Sequence, residues 1–364
     1  MVIQYADRGL EPRLRDILQA ALAGKAPSKE DCRYLLGFEA HSIEAGTLRA
    51  TANTICRRRF GNAGLMLGQI GVHMAPCDGG CGFCAFAKPH TTIRESTLSL
   101  GESIQRANAF SRGGVTGIFI MTMHRFGFDW FLNYVSEMRK HVPAETELLA
   151  NVGDVSVEQM NALRAVGLTG AYHVVRLGEG RDTHLSPSQR LATIERIRAA
   201  GLDWYNSCEP IGPEHTNEEI VEQIFAGAAL GCCQHAVMRR FPVPGSPLFH
   251  HGRLPLARLA QVVAVVALAT LEAPTVRSIA VHESNVLGLM SGANALYAEA
   301  GEPPETPTDG EDGSAKGKEG FSSALWRRSQ EITTADCRGM LIEAGFEGVV
   351  VGPGSSRELT CRKS

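Results

Sequence analysis

The sequence has no hydrophobic run long enough to cross a membrane, for which a helix needs about 18 apolar residues or more. Its most apolar segment, Leu259 to Leu271, is shorter and predicts a buried helix. The N-terminal region also lacks the basic-then-apolar order of a secretion signal. We therefore expect no membrane partner and a cytoplasmic location, where the ten cysteines would stay reduced or bind metal.

Clustered basic charge is missing as well. The chain has 36 lysines and arginines against 39 aspartates and glutamates, a formal net charge of −3. Proteins that bind nucleic acid concentrate Lys and Arg on one face, and the only basic triplet, Arg57 to Arg59, is too short for that role. We expect no nucleic-acid partner. No internal repeat of solenoid length is present either.

What the sequence does contain is a tight group of cysteines. Cys77, Cys81 and Cys84 have the spacing C-x3-C-x2-C, on a stretch loosened by glycines. A [4Fe–4S] cluster takes four ligands, usually all Cys, so three thiolates would leave one iron open to a non-protein ligand. A structural zinc site, the alternative, usually draws on a second ligand pair, and only His73 and His90 lie nearby in sequence. The spacing favours the cluster.

Short β-like runs alternate with helical patterns from Gln69 onward, which indicates parallel βαβ units. Seven or eight such units over about 230 residues predict a (βα)8 TIM-type barrel, an α/β fold. A doubly wound open sheet has the same local pattern and remains the alternative. The predicted strands lie near Ile70–Met74, Gly117–Met121, Glu147–Asn151, Ala171–Val175, Asp203–Asn206, Ala236–Arg240, Ser278–His282 and Ala293–Tyr297.

Two of the intervening helices have clear start signals. Ser186-Pro187 precedes a segment in which Leu191, Ile194 and Ile197 repeat at three-residue steps, predicting an apolar face. The segment Thr216 to Glu219 has the pattern of a capping box.

The chain divides into four predicted segments. Residues 1–68 form a helical extension and residues 69–300 form the barrel. Residues 301–320 are a flexible polar insertion rich in Pro, Gly and Asp, and residues 321–364 form a helical closing segment.

The cysteine spacing, with the aromatic Phe83 directly before Cys84, resembles the motif of the radical S-adenosylmethionine (SAM) enzymes. Further stretches resemble the biotin synthase-type branch of that superfamily, which includes biotin synthase, methylornithine synthase and the iron-hydrogenase maturases. The resemblance implies a barrel with the cluster on the loop after the first strand. These stretches are Gln159–Leu168, Gln189–Gly201, Pro210–Glu214, Val276–Ala280 and Met290–Ala295.

The resemblance implies two cofactors, a [4Fe–4S] cluster held by the three cysteines and SAM chelated to its open iron. Together they would supply a 5′-deoxyadenosyl radical that removes hydrogen from a small-molecule substrate, with electrons from a donor such as flavodoxin or ferredoxin. The resemblance implies that Arg190 binds the SAM carboxylate. Arg176 and Glu179 are expected at the barrel mouth, where the maturase-like members carry a similar Arg and Glu at shorter spacing. Phe83 and Phe86 are expected beside the cluster or the adenine, with core packing as the alternative for each, and Ile211 lies in the turn Pro210 to Gly212 expected near the adenine. For Arg190, a surface arginine paired with Glu195 is the alternative.

Substrate contacts are predicted from strand ends, because active sites of parallel barrels gather at the carboxyl ends of the strands. The polar residues expected there could together recognise a small polar or amino-acid-like molecule. They are Asn151, Asp154, His173, Arg239 and His282.

The chain also departs from biotin synthase, which holds a second cluster inside its barrel through strand cysteines and a late arginine. The corresponding stretches 118–121 and 148–151 hold no Cys, and the late position near His282 is not Arg. Cys208 lies near the third strand position that corresponds to a biotin synthase cysteine, but one thiol cannot hold a cluster. The leading hypothesis is therefore hydrogen abstraction followed by rearrangement, fragmentation or bond formation in cofactor or metabolite biosynthesis. Sulfur insertion and a non-catalytic iron–sulfur assembly role are the alternatives.

Overall fold

The computed structural model describes residues 9–301, 332–352 and 355–358. Within these ranges no helix is both long and apolar enough to cross a membrane. The predicted insertion falls almost wholly outside them, and the division of the chain into four segments stays a prediction.

Twelve strands are described, and the ends of most agree with the predicted runs to within a few residues. In chain order they are β1 Ala63–Gly71, β2 His73–Met74, β3 Ser96–Thr97, β4 Gly117–Met121, β5 Glu147–Asn151, β6 Gly170–Tyr172, β7 Asp203–Ile211, β8 Gln234–Arg239, β9 Ser278–Val281, β10 Ala295–Ala298, β11 Gly348–Gly352 and β12 Ser355–Glu358.

Eight of these strands close into a parallel barrel. The order is β1-β4-β5-β6-β7-β8-β9-β10, and β10 returns to pair with β1, with Leu65 opposite Ala295. The (βα)8 prediction is confirmed, and this closing pair excludes the open doubly wound sheet. Outside the barrel, β11 pairs in parallel with the start of β1 and carries β12 antiparallel on its far side.

The first barrel strand begins at Ala63, seven residues before the predicted start. Glycines at positions 64 and 68 weaken the strand pattern in the sequence. A β-carbon at Gly68 would collide with the ring of Phe110, and one at Gly64 would collide with Leu341. The glycines therefore belong to the strand because neighbouring helices pack directly against its backbone.

Helices cover the outside of the barrel. The capping box that begins at Thr216 is confirmed, and the apolar segment from Leu259 is a buried helix, as predicted. The helices are α1 Pro12–Leu22, α2 Lys29–Leu36, α3 Ile43–Arg59, α4 Leu100–Arg112, α5 Phe128–Arg139, α6 Val157–Ala165, α7 Pro187–Ala199, α8 Asn217–Ala229, α9 Leu256–Ala269, α10 Val286–Leu289 and α11 Thr334–Glu343.

The buried face of α7 differs from the predicted one. Ile194 and Ile197 are buried as expected, but Leu191 is 38% exposed and its neighbour Arg190 is buried. The arginine finds polar partners under the helix, and these partners come from other strands and loops that the local pattern does not reveal.

Candidate functional site

The three cysteines lie on a loop between the short paired strands β2 and β3, directly after β1. Backbone bonds tie the two ends of this loop together: Cys77 N donates to Phe86 O at 2.7 Å, and Lys88 N donates to Cys77 O at 3.0 Å. Because the loop follows the carboxyl end of a barrel strand, its thiols stand at the barrel mouth, where sites in this fold are built.

Glycines give the loop its shape. Gly79 lies between two thiols, and a β-carbon there would be 3.4 Å from the Cys77 sulfur and 3.6 Å from that of Cys81. Gly80 has φ of +59°, and a side chain there would clash with the ring of His184. Gly79 therefore adds no side chain between these two thiols, and Gly80 leaves room for the ring of His184.

The β6–α7 connection holds the cysteine loop from one side. His184 N donates to Gly79 O at 2.8 Å, and Gly82 N donates to Asp182 O at 2.8 Å. The cysteine loop is thus fixed to the segment that carries Arg176 and Glu179.

Burial disfavours the thiolate form of two of the three cysteines. It raises the pKa of Cys81 to about 12 and raises that of Cys84, although Arg176 acts in the opposite direction on both. Metals and clusters bind the thiolate form, so the binding of a cluster would release the protons of these thiols. Three soft thiol donors on one short loop suit an iron–sulfur cluster. In the described ranges, no three His, Cys, Asp or Glu side chains are grouped as ligands of a single metal ion.

A cavity of about 240 Å³ opens beside Cys84 at the barrel mouth. Every barrel strand, or the residues just after it, contributes to the wall, and the cysteine loop closes one side. The lining residues are Gln69, Phe83, Cys84, Ala85, Phe86, Phe119, Met121, Asn151, Tyr172, Arg176, Glu209, Pro210, Met238, Arg240, Phe241, Val243, His282 and Tyr297.

Two arginines line this cavity, and Arg176 is the one whose charge acts on Cys81 and Cys84. Among the described residues its guanidinium makes two long ion pairs, 3.5 Å to Glu209 and 3.8 Å to Glu179. Burial disfavours its charge, but Glu209, Tyr172 and Glu179 outweigh this and raise the pKa of Arg176. A charged arginine with loosely held partners at a cavity wall can accept the carboxylate of a ligand.

Arg190 lies behind this wall. Its side chain is 4% exposed, its Nε donates to Val174 O at 3.1 Å, and its Nη1 lies 3.4 Å from Asp154 Oδ1. The alternative of a surface arginine paired with Glu195 is therefore wrong. Glu179 is similarly buried and accepts hydrogen bonds from Arg176 N at 3.0 Å and Thr183 Oγ1 at 2.7 Å.

Asp154 and His173 complete this buried layer, with His173 Nε2 3.0 Å from Asp154 Oδ1. Burial and the charge of Arg190 lower the pKa of His173 to about 3, so the imidazole is neutral at pH 7. Burial alone would raise the pKa of Asp154, but its contacts with His173 and Arg190 lower it. These contacts keep Asp154 in its carboxylate form and orient the side chain of Arg190.

A second arginine, Arg240, enters the wall from the end of β8. It is 2% exposed and pairs with Glu214, whose Oε2 accepts from Nη2 at 2.8 Å. Although burial raises the pKa of Glu214, its bonds with Arg240 lower it to about 2. The Nε of Arg240 is buried and has no hydrogen-bond partner among the described residues.

Aromatic rings form the inner part of the cavity. Tyr297 packs against His282, with ring centroids 4.6 Å apart, and against Phe119 at 5.8 Å. The amide nitrogen of Gln69 lies 3.1 Å from His282 Nε2 and can donate to it. The inner cavity therefore combines apolar surface with neutral hydrogen-bonding groups.

The structure brings some of the predicted site residues to the cavity and places the others behind it. Phe83, Phe86, Asn151, Arg176 and His282 line it, together with Cys84. Predicted site residues outside the lining are Cys77, Cys81, Asp154, His173, Glu179, Arg190, Ile211 and Arg239. Arg239 points away and pairs with Glu283 at 2.6 Å, and Ile211 is fully buried among apolar side chains.

Sequence reasoning missed the carboxylate and the second arginine of the wall, Glu209 and Arg240, as well as Gln69, Tyr172 and Tyr297. One signal was available, because side chains alternate along a strand. Arg239 and Arg240 cannot both face the barrel interior, but the sequence does not say which one does.

The cysteines outside the loop that the structure describes do not reach the cavity wall. Among its described lining residues the only cysteine is Cys84. Cys208 is fully buried and faces the outer helix α8, 4.0 Å from Ile220 O. Cys233 lies at the opposite end of the barrel. At the stretches where biotin synthase carries barrel cysteines, the wall presents Met121 and Asn151 instead.

No protein-family model matches the chain. Two curated relatives are both named biotin synthase. The protein of Desulforudis audaxviator is 30% identical over 260 residues, 66% of this chain and 77% of the relative. That of a Nocardioides species is 29% identical over 227 residues, 59% of this chain and 60% of the relative. The chain thus matches less than two thirds of the Nocardioides protein.

Solved structures share the fold at low sequence identity. Methylornithine synthase (PylB) has a TM-score of 0.69 at 16% identity, over 89% of this chain and 99% of that one. The FeFe-hydrogenase maturase HydG from Carboxydothermus hydrogenoformans has a TM-score of 0.73 at 16% identity, over 93% of this chain and 79% of that one. At these sequence identities the similarity concerns the fold alone.

Proposed function

Because the chain belongs to the biotin synthase-like branch of the radical SAM enzymes, we propose that it binds a [4Fe–4S] cluster at Cys77, Cys81 and Cys84 and binds SAM in the adjoining cavity. The proposed reaction removes a hydrogen atom from a C–H bond of a small molecule. The observation that carries this proposal is the shared cavity, since Cys84 and the barrel-mouth residues Arg176 and Glu209 line one space.

The charge around the cysteine side of the cavity supports SAM as the ligand. The charged residues there are two arginines, Arg176 and Arg190, and three carboxylates, Asp154, Glu179 and Glu209. With His173 neutral, the group carries one more negative charge than positive. SAM at neutral pH carries a sulfonium, an ammonium and a carboxylate, a net charge of +1, which is opposite in sign to that of the group.

The chain's own residues would position the two cofactors and exclude water. Bound SAM and a reduced cluster supply the 5′-deoxyadenosyl radical. Arg176 is placed to pair with the SAM carboxylate, since its present ion pairs are long, whereas Arg190 is held by Asp154 and Val174 O. The rings of Phe83 and Phe86, which lie on the cysteine loop, line the cavity.

The electron that reduces the cluster would come from a small redox protein such as flavodoxin or ferredoxin. The substrate would be a small molecule of cofactor or metabolite biosynthesis that fits the inner cavity. A cytoplasmic location stays a prediction.

The test is anaerobic reconstitution with iron and sulfide, followed by SAM and dithionite and chromatography for 5′-deoxyadenosine. We expect about four irons per chain and release of 5′-deoxyadenosine. The matched control is the triple Cys→Ala variant at positions 77, 81 and 84, which should hold no cluster. A wild-type protein that binds zinc but no cluster would overturn the proposal.

Sulfur insertion is the second candidate, because the curated relatives are named biotin synthase. It would need a second source of sulfur in the barrel, and Cys84 is the only cysteine among the described lining residues. Iron analysis separates the two candidates. About four irons per chain favours the one-cluster proposal, whereas reproducible loading well above four favours sulfur insertion.

A further inference from the structure

The segment directly after the third cysteine holds the two ends of the cysteine loop together. Phe86 O accepts from Cys77 N at 2.7 Å, and Lys88 N donates to Cys77 O at 3.0 Å. Both bonds join backbone groups. The chain then turns back toward the loop, with Ala87 O accepting from His90 N at 3.1 Å. This turn brings the His90 side chain beside the third cysteine.

The His90 imidazole bonds to the backbone of that cysteine. Its Nε2 donates to Cys84 O at 2.7 Å, and Ala87 N donates to the same oxygen at 3.2 Å. Because a carbonyl oxygen can only accept, Nε2 carries the hydrogen and offers no lone pair to a metal. Nδ1 is buried and has no hydrogen-bond partner among the described residues. Within the described ranges, the imidazole therefore makes one hydrogen bond, and that bond ends on a proposed cluster ligand.

The turn that His90 closes directs two backbone N–H groups at the sulfur of the same cysteine. Although burial raises the pKa of Cys84, hydrogen bonds from Phe86 N and Ala87 N lower it. Hydrogen bonds of this kind favour the anionic form of a sulfur ligand. They are also among the factors that set the reduction potential of an iron–sulfur cluster. The orientation of these two N–H groups therefore affects the chemistry of a cluster held by Cys84.

His73, the other histidine that flanks the cysteine loop in the sequence, has different contacts. Its Nε2 lies 3.3 Å from Glu95 Oε1, and its ring packs edge-on against Trp130 with centroids 6.2 Å apart. Neither of these partners belongs to the cysteine loop. Of the two histidines, only His90 has a described hydrogen bond to a cysteine, so the pair offers a matched comparison.

We propose that His90 is a positioning residue that sets the reduction potential and the retention of the cluster. Its bond to Cys84 O fixes the turn, and the turn points two backbone N–H groups at the Cys84 sulfur. Reduction adds negative charge to a cluster and its sulfur ligands, and N–H donors stabilise that charge. These bonds therefore raise the midpoint potential, and loss of the His90 bond lowers it. This inference rests on the proposed function, because it requires a cluster at the three cysteines.

The test measures the cluster itself, without SAM and without turnover. Anaerobic redox titration followed by EPR gives the midpoint potential, and absorbance during incubation with EDTA gives the rate of iron loss. His90→Gln keeps an N–H donor near the position of Nε2, whereas the side chain of His90→Asn is too short to reach Cys84 O. We expect His90→Asn to have a lower midpoint potential and to lose iron about 3- to 10-fold faster than wild type, as for one lost hydrogen bond. His90→Gln should stay close to wild type in both measurements.

Two controls separate positioning from a general loss of structure. His73→Gln makes the same exchange at the other flanking histidine and should keep the wild-type potential and rate of iron loss. Far-UV circular dichroism of each apo-protein identifies a variant that fails to fold. For that case, wild-type apo-protein is incubated in D2O before it is loaded. Pulsed EPR of the reduced cluster should then detect weakly coupled deuterons from the N–H groups at the Cys84 sulfur.

Three results would overturn the inference. The first is a folded His90→Asn variant with the wild-type potential and rate of iron loss. The second is a folded His90→Gln variant that behaves like His90→Asn, which would show that the N–H donor is not what matters. The third is a reduced wild-type cluster without coupled deuterons. A wild-type protein that forms no cluster would instead defeat the proposed function, and this inference with it.

Discussion

The two ends of the barrel both contain cavities lined with polar residues, but they differ in how well those residues are paired. The cavity at the amino-terminal end is the larger, about 440 Å³ against about 240 Å³ at the mouth. Its polar side chains bond to one another: Tyr205 donates to Glu147 at 2.6 Å, and Gln234 donates to Ser278 at 2.9 Å. None of its described lining residues has a buried side-chain nitrogen or oxygen without a partner.

At the mouth, by contrast, the ion pairs of Arg176 with described residues are long, and Arg240 Nε has no hydrogen-bond partner in the part of the chain that the structure describes. Volume alone therefore does not distinguish the two cavities, whereas the pairing of their polar groups does. We infer that the polar groups at the amino-terminal end stabilise the fold and that those at the mouth are available to a ligand.

The strongest test of this contrast removes one thiol from each end. Cys81→Ala should abolish cluster loading and reduce 5′-deoxyadenosine formation below detection, because the remaining two thiols cannot hold the cubane in place. Cys233→Ala, at the other end, should retain the wild-type iron content and activity. Iron analysis and the chromatographic assay check both. Activity in the first variant would contradict the proposed cluster site.

A second test compares arginines. Arg176→Gln should weaken SAM binding about 10- to 100-fold, because it removes the cation proposed for the SAM carboxylate. Arg277→Gln breaks the exposed pair with Asp203 at the opposite end. It should leave SAM affinity unchanged and lower the free energy of unfolding by less than about 1 kcal/mol. Calorimetry with SAM measures the first effect, and equal SAM affinities in the two variants would refute it.

A third test uses pH, since carboxylates at the two ends shift in opposite directions. Arg240 lowers the folded-state pKa of Glu214 to about 2, so its contribution to stability is present above the unfolded pKa, about 4.3, and is lost as pH falls toward 2. Burial raises the pKa of Glu147 in the folded state. Its contribution therefore lowers the free energy of unfolding as pH rises from the unfolded pKa to the folded pKa.

The expected results follow from these signs. Glu214→Gln should lower the free energy of unfolding at pH 7 by about 1–3 kcal/mol, with a smaller loss toward pH 3. Glu147→Gln should make the free energy of unfolding depend less on pH in the range just above the pKa of an unfolded glutamate. Urea unfolding between about pH 3 and pH 7 measures both. Parallel profiles for the two variants would show that the ends do not differ in this way.

The smallest effects concern glycines. Gly80→Ala should lower the free energy of unfolding by about 1–2 kcal/mol and reduce cluster loading, because φ is +59° and the new methyl group would meet His184. Gly46→Ala, within α3 and with open space around it, should raise stability by about 0.5–1 kcal/mol. Thermal unfolding and iron content check the pair, and normal loading in Gly80→Ala would remove this glycine from the cluster site.

Much of the fold was predictable from the sequence because its signals are local. Alternating strand and helix patterns, the capping box at Thr216 and the apolar run from Leu259 each depend on residues close together in the chain. The cysteine loop was equally readable, since Cys77, Cys81 and Cys84 lie within eight residues and their spacing defines the chemistry.

The cavity wall could be predicted only in part, because it joins residues from eight strands. Strand ends indicated Asn151, Arg176 and His282, which do line it. Closure of the barrel decided that Arg240 rather than Arg239 faces inward, and that Arg190 turns under α7 toward Asp154. These choices depend on strand register and on partners far away in sequence. The sequence alone therefore determined which thiols share one short loop, whereas only the tertiary structure decided which charged groups are fully paired within the cavity wall, because pairing depends on neighbours in space.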